Sequence, residues 1–222
     1  YDEIEKAAFI VKLTGKPIAV HAEDKTIIFE KMQKFKSEGN NSYKAYCNSR
    51  NDDAEYIAVK EIGEIAEKTG CRFHIVHLSS EKALEEIKEK NKRIKNFTAE
   101  TCPQYLYFTE KDFENEKIRN YLKTAPPVKH EKDKRALWDA LINDDLIFVT
   151  TDHAGCNPSE EKSSDNFWDV YGGIPGIEHR VPFMFSEGFK SGILNLEQTI
   201  KLLTSNVADY FGINSKGYLQ KD

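Results

Sequence analysis

The chain has no excess of positive charge: 32 Lys and Arg stand against 37 Asp and Glu, for a formal net charge of -5. Nucleic-acid binding needs a concentrated basic face. The densest basic stretch, KEKNKRIK at 88–95, also carries a glutamate and reads as the end of a helix, so no nucleic-acid partner is expected. No apolar run approaches the ~20 residues that span a bilayer, and the opening YDEIEKAAF does not read as a signal peptide. No membrane partner is therefore expected, and the expected location is cytoplasmic. Cysteine is scarce: Cys47, Cys71, Cys102 and Cys156 show no C-x-x-C spacing, which suits free thiols in a reducing compartment better than a disulfide framework. No linker or low-complexity tract divides the 222 residues, so one domain over 1–222 is expected.

What the chain does have is an alternation of strand and helix patterns. Residues 2–14 carry Ile4, Ala7, Ala8 and Val11 at helical spacing, with Gly15 as a stop. PIAVH (17–21) reads as a strand, 25–38 as containing a helix, and 52–70 as a long helix capped by Gly70. CRFHIVHLSS (71–80) is a second strand, and Ser79 or Ser80 can cap a helix at 81–90. A third strand follows at 96–101, a helix at 131–144 and a fourth strand at 145–153; helical patterns return at 177–190 and 196–211. This order implies βαβ units and a parallel sheet in an α/β fold.

His21, His77, Glu100 and Asp152 each fall at or just past the C-terminal end of one of these four strands. That end of a parallel sheet is where ligands bind, and in (β/α) barrels it carries the chemistry. Two histidines and an aspartate are non-thiolate ligands for a metal such as zinc. A metal lowers the pKa of a bound water toward neutrality, and a neighbouring carboxylate such as Asp152 can accept its proton. The ligand spacings are long, so no local HExxH-type motif supports the assignment. Other readings compete at each position. His74 in FHIVHL is a rival to His77; with Phe73, Ile75 and His77 pointing inward, strand alternation would turn His74 toward a helix. Glu100 could pair with a lysine and Asp152 could cap a helix. His130 and His179 read as solvated, while Cys102 and Cys156 lie near the site without partners.

Six stretches in order then resemble one family: PIAVHAED (17–24), HIVHLSS (74–80), AETCPQYL (99–106), LKTAPPVK (122–129), TTDHAG (150–155) and GGIPGIEHR (172–180). They are similar to the cyclic amidohydrolases, a group that includes hydantoinases and dihydropyrimidinases, allantoinases and dihydroorotases. The resemblance covers nearly the whole chain. It implies a metal-dependent TIM-type (β/α)8 barrel that hydrolyses the C–N bond of a cyclic amide. It also implies Zn2+, two per complete site, with His21, His77 and Asp152 as ligands and Asp152 as general base to a metal-activated hydroxide. By the same resemblance, His153 touches substrate, and Ala125, Gly173, Pro175 and Gly176 lie on loops that line the substrate pocket. A homodimer or homotetramer is implied as well.

The family's H-x-H pair and its carboxylated lysine have no counterpart in these residues, and only twenty residues precede His21. The expectation is therefore a partial barrel, roughly strands five to eight with their helices, from a longer enzyme. Four strands cannot close a barrel. The substrate is read as a hydantoin, dihydropyrimidine or allantoin-type ring. ETCPQYL and RALWDAL look most like hydantoinases, whereas LKTAPP with NFWDVYGGI looks more like allantoinases. HAED and TDHA…EEK…GIPGIE echo dihydroorotases, the alternative enzyme. Ala125 and Gly155 depart from the asparagine and proline usual in that subgroup, and Gly172 departs from the asparagine usual in hydantoinases. A non-catalytic scaffold homologue is the alternative of another class.

Overall fold

The structure, a computed structural model, describes residues 1–219. Helix α1 (Asp2–Lys12) leads into β1 (Pro17–Val20). Helices α2 (Lys25–Ser37), α3 (Tyr43–Ser49) and α4 (Asp52–Thr69) precede β2 (Arg72–Ile75), and α5 (Glu81–Asn91) precedes β3 (Phe97–Ala99). The three strands are parallel and lie in chain order, with Ile18 opposite Phe73 and Phe73 opposite Phe97. The caps read from sequence, Ser80 and Gly70, are in place, and Asp24 and Asn51 add two that were not anticipated. Asp24, Asn51 and Ser80 accept amide protons at the starts of α2, α4 and α5, and Gly70 ends α4 at φ +67°, where a side chain would be strained.

Helices α1, α4 and α5 pack in succession, and α5 meets α7 (Glu131–Ile142), which packs on α6 (Pro103–Tyr107). This layer covers one face of the sheet. Phe73, Ile75, Phe97 and Ala99 are fully or almost fully buried with Val59, Ile62, Leu84, Ile87, Leu137 and Leu141 in one core. Each large apolar side chain taken from water there contributes about 1.5–3 kcal/mol, which is why the period-2 and period-3.6 patterns were legible.

Strand alternation is obeyed but its sense is the reverse of the expectation. Phe73 and Ile75 face the helices, so His74 points away from them. It lies 5.0 Å from the ring of Phe148 and 5.1 Å from that of Tyr210 on α11 (Ser205–Phe211). His77 escapes the parity argument altogether, because β2 stops at Ile75 and His77 has φ +46°.

The expected fourth strand at 145–153 is not a continuous strand. It runs parallel to the end of β3 through single bridges, Thr101 to Val149, and beyond that His153 to Ile174. Ile147 and Thr150 donate to the carbonyls of Ala99 and Thr101. The outer backbone groups go elsewhere: Val149 N–H to Leu202 at the end of α10 (Leu196–Leu203), the Val149 carbonyl to Arg180 and the Ile147 carbonyl to Asn206. A sheet edge is thus satisfied without another strand. Helices α3 and α6, α8 (Pro158–Glu161) and the 3-10 turn Glu110–Glu114 were not anticipated; they are short, and their turns are stabilised by tertiary contacts rather than by periodicity. The 177–190 pattern is α9 (Arg180–Phe183) running into a π-helical segment, Met184–Lys190. No helix among the described residues is long and apolar enough to cross a membrane.

Candidate functional site

The polar residues at the strand ends converge in part. His21 follows β1 directly, and its Nδ1 lies 2.9 Å from Nε2 of His77, with the rings edge to face at 4.7 Å. His77 is buried, and its Nδ1 has no hydrogen-bond partner among the described residues. Burial, and then the neighbouring His21, hold the His77 imidazole below its ordinary pKa, while Asp152 acts in the opposite sense. Asp152 lies within electrostatic reach but is exposed, at φ +47°.

Glu23 was not anticipated as part of the site. Its Oε2 accepts from Nε2 of His21 at 2.9 Å and from the Arg50 guanidinium. The side chain is 1% exposed, and Oε1 is buried without a partner among the described residues. Burial raises the carboxyl pKa, but the His21 hydrogen bond and the charges of Arg50 and Lys129 outweigh it and leave the group below its usual value. With its Nε2 proton given to Glu23, His21 presents an unprotonated Nδ1 toward His77. This is the carboxylate–histidine arrangement that orients metal-ligating imidazoles. Two ring nitrogens 2.9 Å apart, one of them backed by a carboxylate, fit a divalent ion that takes imidazole ligands. Glu55 supports the same corner from α4. It is 1% exposed, accepts the Ser79 amide at 2.9 Å and the Ser79 hydroxyl at 3.1 Å, and has its pKa raised by burial.

Glu100 does not pair with a lysine. Its Oε2 lies 3.1 Å from Nε2 of His74 and its Oε1 accepts from the Thr150 hydroxyl at 2.6 Å. Cys102 is buried beside that hydroxyl at 3.5 Å, and burial pushes its thiol well above the ordinary range. The closed cluster of three potential ligand groups among the described residues is a different one, Asp52, His130 and Asp133. Both Asp133 oxygens there accept backbone amides, from Glu81 at 2.8 Å and His130 at 3.0 Å. His130 faces Glu110 at 2.6 Å. Asp133 there serves as the capping-box acceptor at the start of α7.

The loop residues 176 and 177 meet His153. Nδ1 of His153 accepts the amide protons of Gly176 (3.1 Å) and Ile177 (3.4 Å), which leaves its own proton on Nε2. Gly173 donates to the Lys123 carbonyl at 2.9 Å. Pro175 is exposed between the two glycines. Ala125 and Gly172 line a cleft of about 380 Å³ together with Arg50, Tyr46 and Trp168. A Cβ added at Gly173 would stand 2.5 Å from Cβ of Ala154 and 2.9 Å from the Tyr171 ring. Gly173→Ala is therefore expected to destabilise the protein by about 1–3 kcal/mol, read as a lower melting temperature; an unchanged melt would show that the loop can withdraw freely.

The sequence matches a family model described as Amidohydrolase family over residues 1–221. The chain is 33% identical over 204 residues to an allantoinase of Bacillus licheniformis, covering 92% of this chain and 44% of that protein. Its fold matches dihydropyrimidinase from Brevibacillus agri with a TM-score of 0.93 at 28% identity, covering 97% of this chain and 48% of the other. It also matches L-hydantoinase (dihydropyrimidinase) from Arthrobacter aurescens with a TM-score of 0.93 at 31% identity, covering 99% and 49%. The chain spans about half the length of the relatives it matches.

Proposed function

Because this chain belongs to the amidohydrolase family, we propose that the protein it comes from hydrolyses a cyclic amide of the hydantoin, dihydropyrimidine or allantoin type. The observation that carries the reading is the His21–His77 pair at 2.9 Å, with Glu23 fixing the tautomer of His21. In this reading His21 and His77 would hold a zinc ion from the strand ends, with Asp152 as the third ligand. The ion supplies Lewis acidity and a lowered pKa for water. Asp152 takes the proton of the attacking water and delivers it to the leaving ring nitrogen as the C–N bond breaks. His153, its Nδ1 occupied by two loop amides, offers Nε2–H to the substrate. Ala125, Gly173, Pro175 and Gly176 line the ring pocket. Their small side chains suit a close approach of backbone groups to a flat ring.

The same reading makes these residues strands five to eight of one catalytic (β/α)8 barrel domain. The β1 edge opposite β2, which has no strand partner among the described residues, is where the remaining strands would pair. A second zinc and a carboxylated lysine would come from outside these residues, and a homodimer or homotetramer is the proposed assembly. Dihydroorotase is the weaker alternative, since Ala125 offers no polar side chain to a ring carboxylate.

The test is a panel of allantoin, hydantoin, dihydrouracil and dihydroorotate, assayed on the full-length protein with and without a chelator. Cleavage of one of the first three, abolished by chelation and restored by Zn2+, is the expected result. No cleavage of any ring would support a scaffold role instead, and chelator-resistant cleavage would remove the metal from the reading.

A further inference from the structure

The loop that carries Gly173, Pro175 and Gly176 has little regular structure of its own. Between Ala154 and His179 it contains only the four-residue α8 and one bridge, at Ile174. Two buried lysines hold it. Lys123 is 4% exposed and its ammonium donates to the carbonyls of Phe167 (2.7 Å), Trp168 (3.0 Å) and Val170 (2.5 Å). Lys162, also 4% exposed, donates to Tyr171 (2.8 Å), Gly173 (2.9 Å) and the Lys123 carbonyl (3.4 Å). That Lys123 carbonyl also accepts the Gly173 amide. The Lys123 ammonium lies 4.7 Å from the Tyr46 ring and 5.3 Å from the Phe167 ring.

Burying an ammonium is costly unless every proton finds an acceptor. Here each ammonium is matched by three carbonyls, and those carbonyls belong to the loop and to the segment before Ala125. An apolar residue of similar size would fill the space but would leave three carbonyls unpaired.

We propose that Lys123 and Lys162 are positioning residues for the ring pocket: their ammoniums set the register of residues 167–173 on residues 123–125, and so place Gly173 and Gly176 beside His153. The inference rests on the reading that these loops line the substrate pocket. Its chemistry carries a pH signature. Burial, and then the Lys162 charge, bring the Lys123 ammonium down to about 8. Arg50 and Lys36 face it with the same sign and Asp169 with the opposite one; Cys156 and Glu161 face Lys162. Above that pH a neutral amine keeps two N–H donors for three carbonyls, so the loop loosens. The linked effect on global stability has the other sign. Between about 8 and the ordinary lysine value, the unfolded chain holds a proton that the folded one has released. Stability therefore gains from this group as pH rises through that window.

The experiment uses the full-length protein. In Lys123→Met the expected results are a KM for the cleaved ring raised about tenfold, kcat within a few-fold, and unchanged bound metal. Hydrogen-exchange protection across 167–173 should fall. Lys123→Arg should not restore KM, because a planar guanidinium cannot replace a three-donor tripod. An unchanged KM, or restoration by arginine, would overturn the proposal. Should the methionine variant not fold, wild-type protein decides: KM should rise and protection of 167–173, corrected for intrinsic exchange, should fall above pH ~8. Flat profiles for both would overturn it. If wild-type protein cleaves no ring at all, the functional reading fails, while the protection of 167–173 still reports on the two lysines.

Discussion

Asp152→Asn is expected to lower turnover of the ring substrate by roughly 10²–10⁴-fold, the range for loss of a positioned general base, with little change in thermal stability. The separation of the two effects follows from the geometry. Asp152 lies between the bridged residues Val149 and His153, exposed, and its charge acts on His77 across the site. A surface side chain outside the packed core is worth within about 0.5 kcal/mol. Asparagine is the better probe than alanine because the residue sits at φ +47°, a left-handed conformation that asparagine tolerates. Asp152→Ala should abolish turnover too, with some added backbone strain. The measurement is kcat on the full-length protein beside a melting curve. Turnover within threefold of wild type would remove Asp152 from the chemistry. A melt lowered by many degrees would make it a structural residue.

Glu23→Gln is expected to weaken metal binding by about 10–100-fold, the range found when a partner of a metal-bound imidazole is replaced. The carboxylate is buried and has two duties on one oxygen, accepting from His21 Nε2 and from Arg50. The amide keeps the shape but loses the charge, so Arg50 is left facing a neutral group and His21 loses the acceptor that fixes its tautomer. Competition with a chromophoric chelator measures the affinity, and a melting curve without metal serves as the control. Equal affinity in both proteins would mean that the His21 ring is oriented by packing alone.

The expectations that came through unchanged rest on local chemistry. The caps at the end of α4 and the start of α5 are short-range contacts, visible as Gly70 and Ser80 in the right places. The strand-end positions of His21, His77 and Glu100 follow from where apolar runs stop. The inversion of His74 shows the limit of such reasoning. Alternation tells which residues share a face, but which face meets the helices depends on packing of α4 and α5 against Phe73 and Ile75. The broken fourth strand has a similar cause, since Arg180, Asn206 and Leu202 take backbone groups that another strand would have taken.

Glu23, Lys123 and Lys162 were in view as letters within the recognised stretches, yet nothing in their spacing assigned them a partner. Arg50 and Glu55 lay outside those stretches altogether. Each acts on residues far away in the chain, and each is informative because it is a charge held out of water. From the sequence alone came the α/β alternation, the family resemblance and the donor types available at the strand ends, because periodicity, caps and residue chemistry are local properties. Tertiary structure decided that His21 and His77 meet, that His74 turns to Glu100, and that two ammoniums bind the loop 167–173. Those outcomes depend on burial and distance between remote segments, and neither quantity exists until the chain has packed.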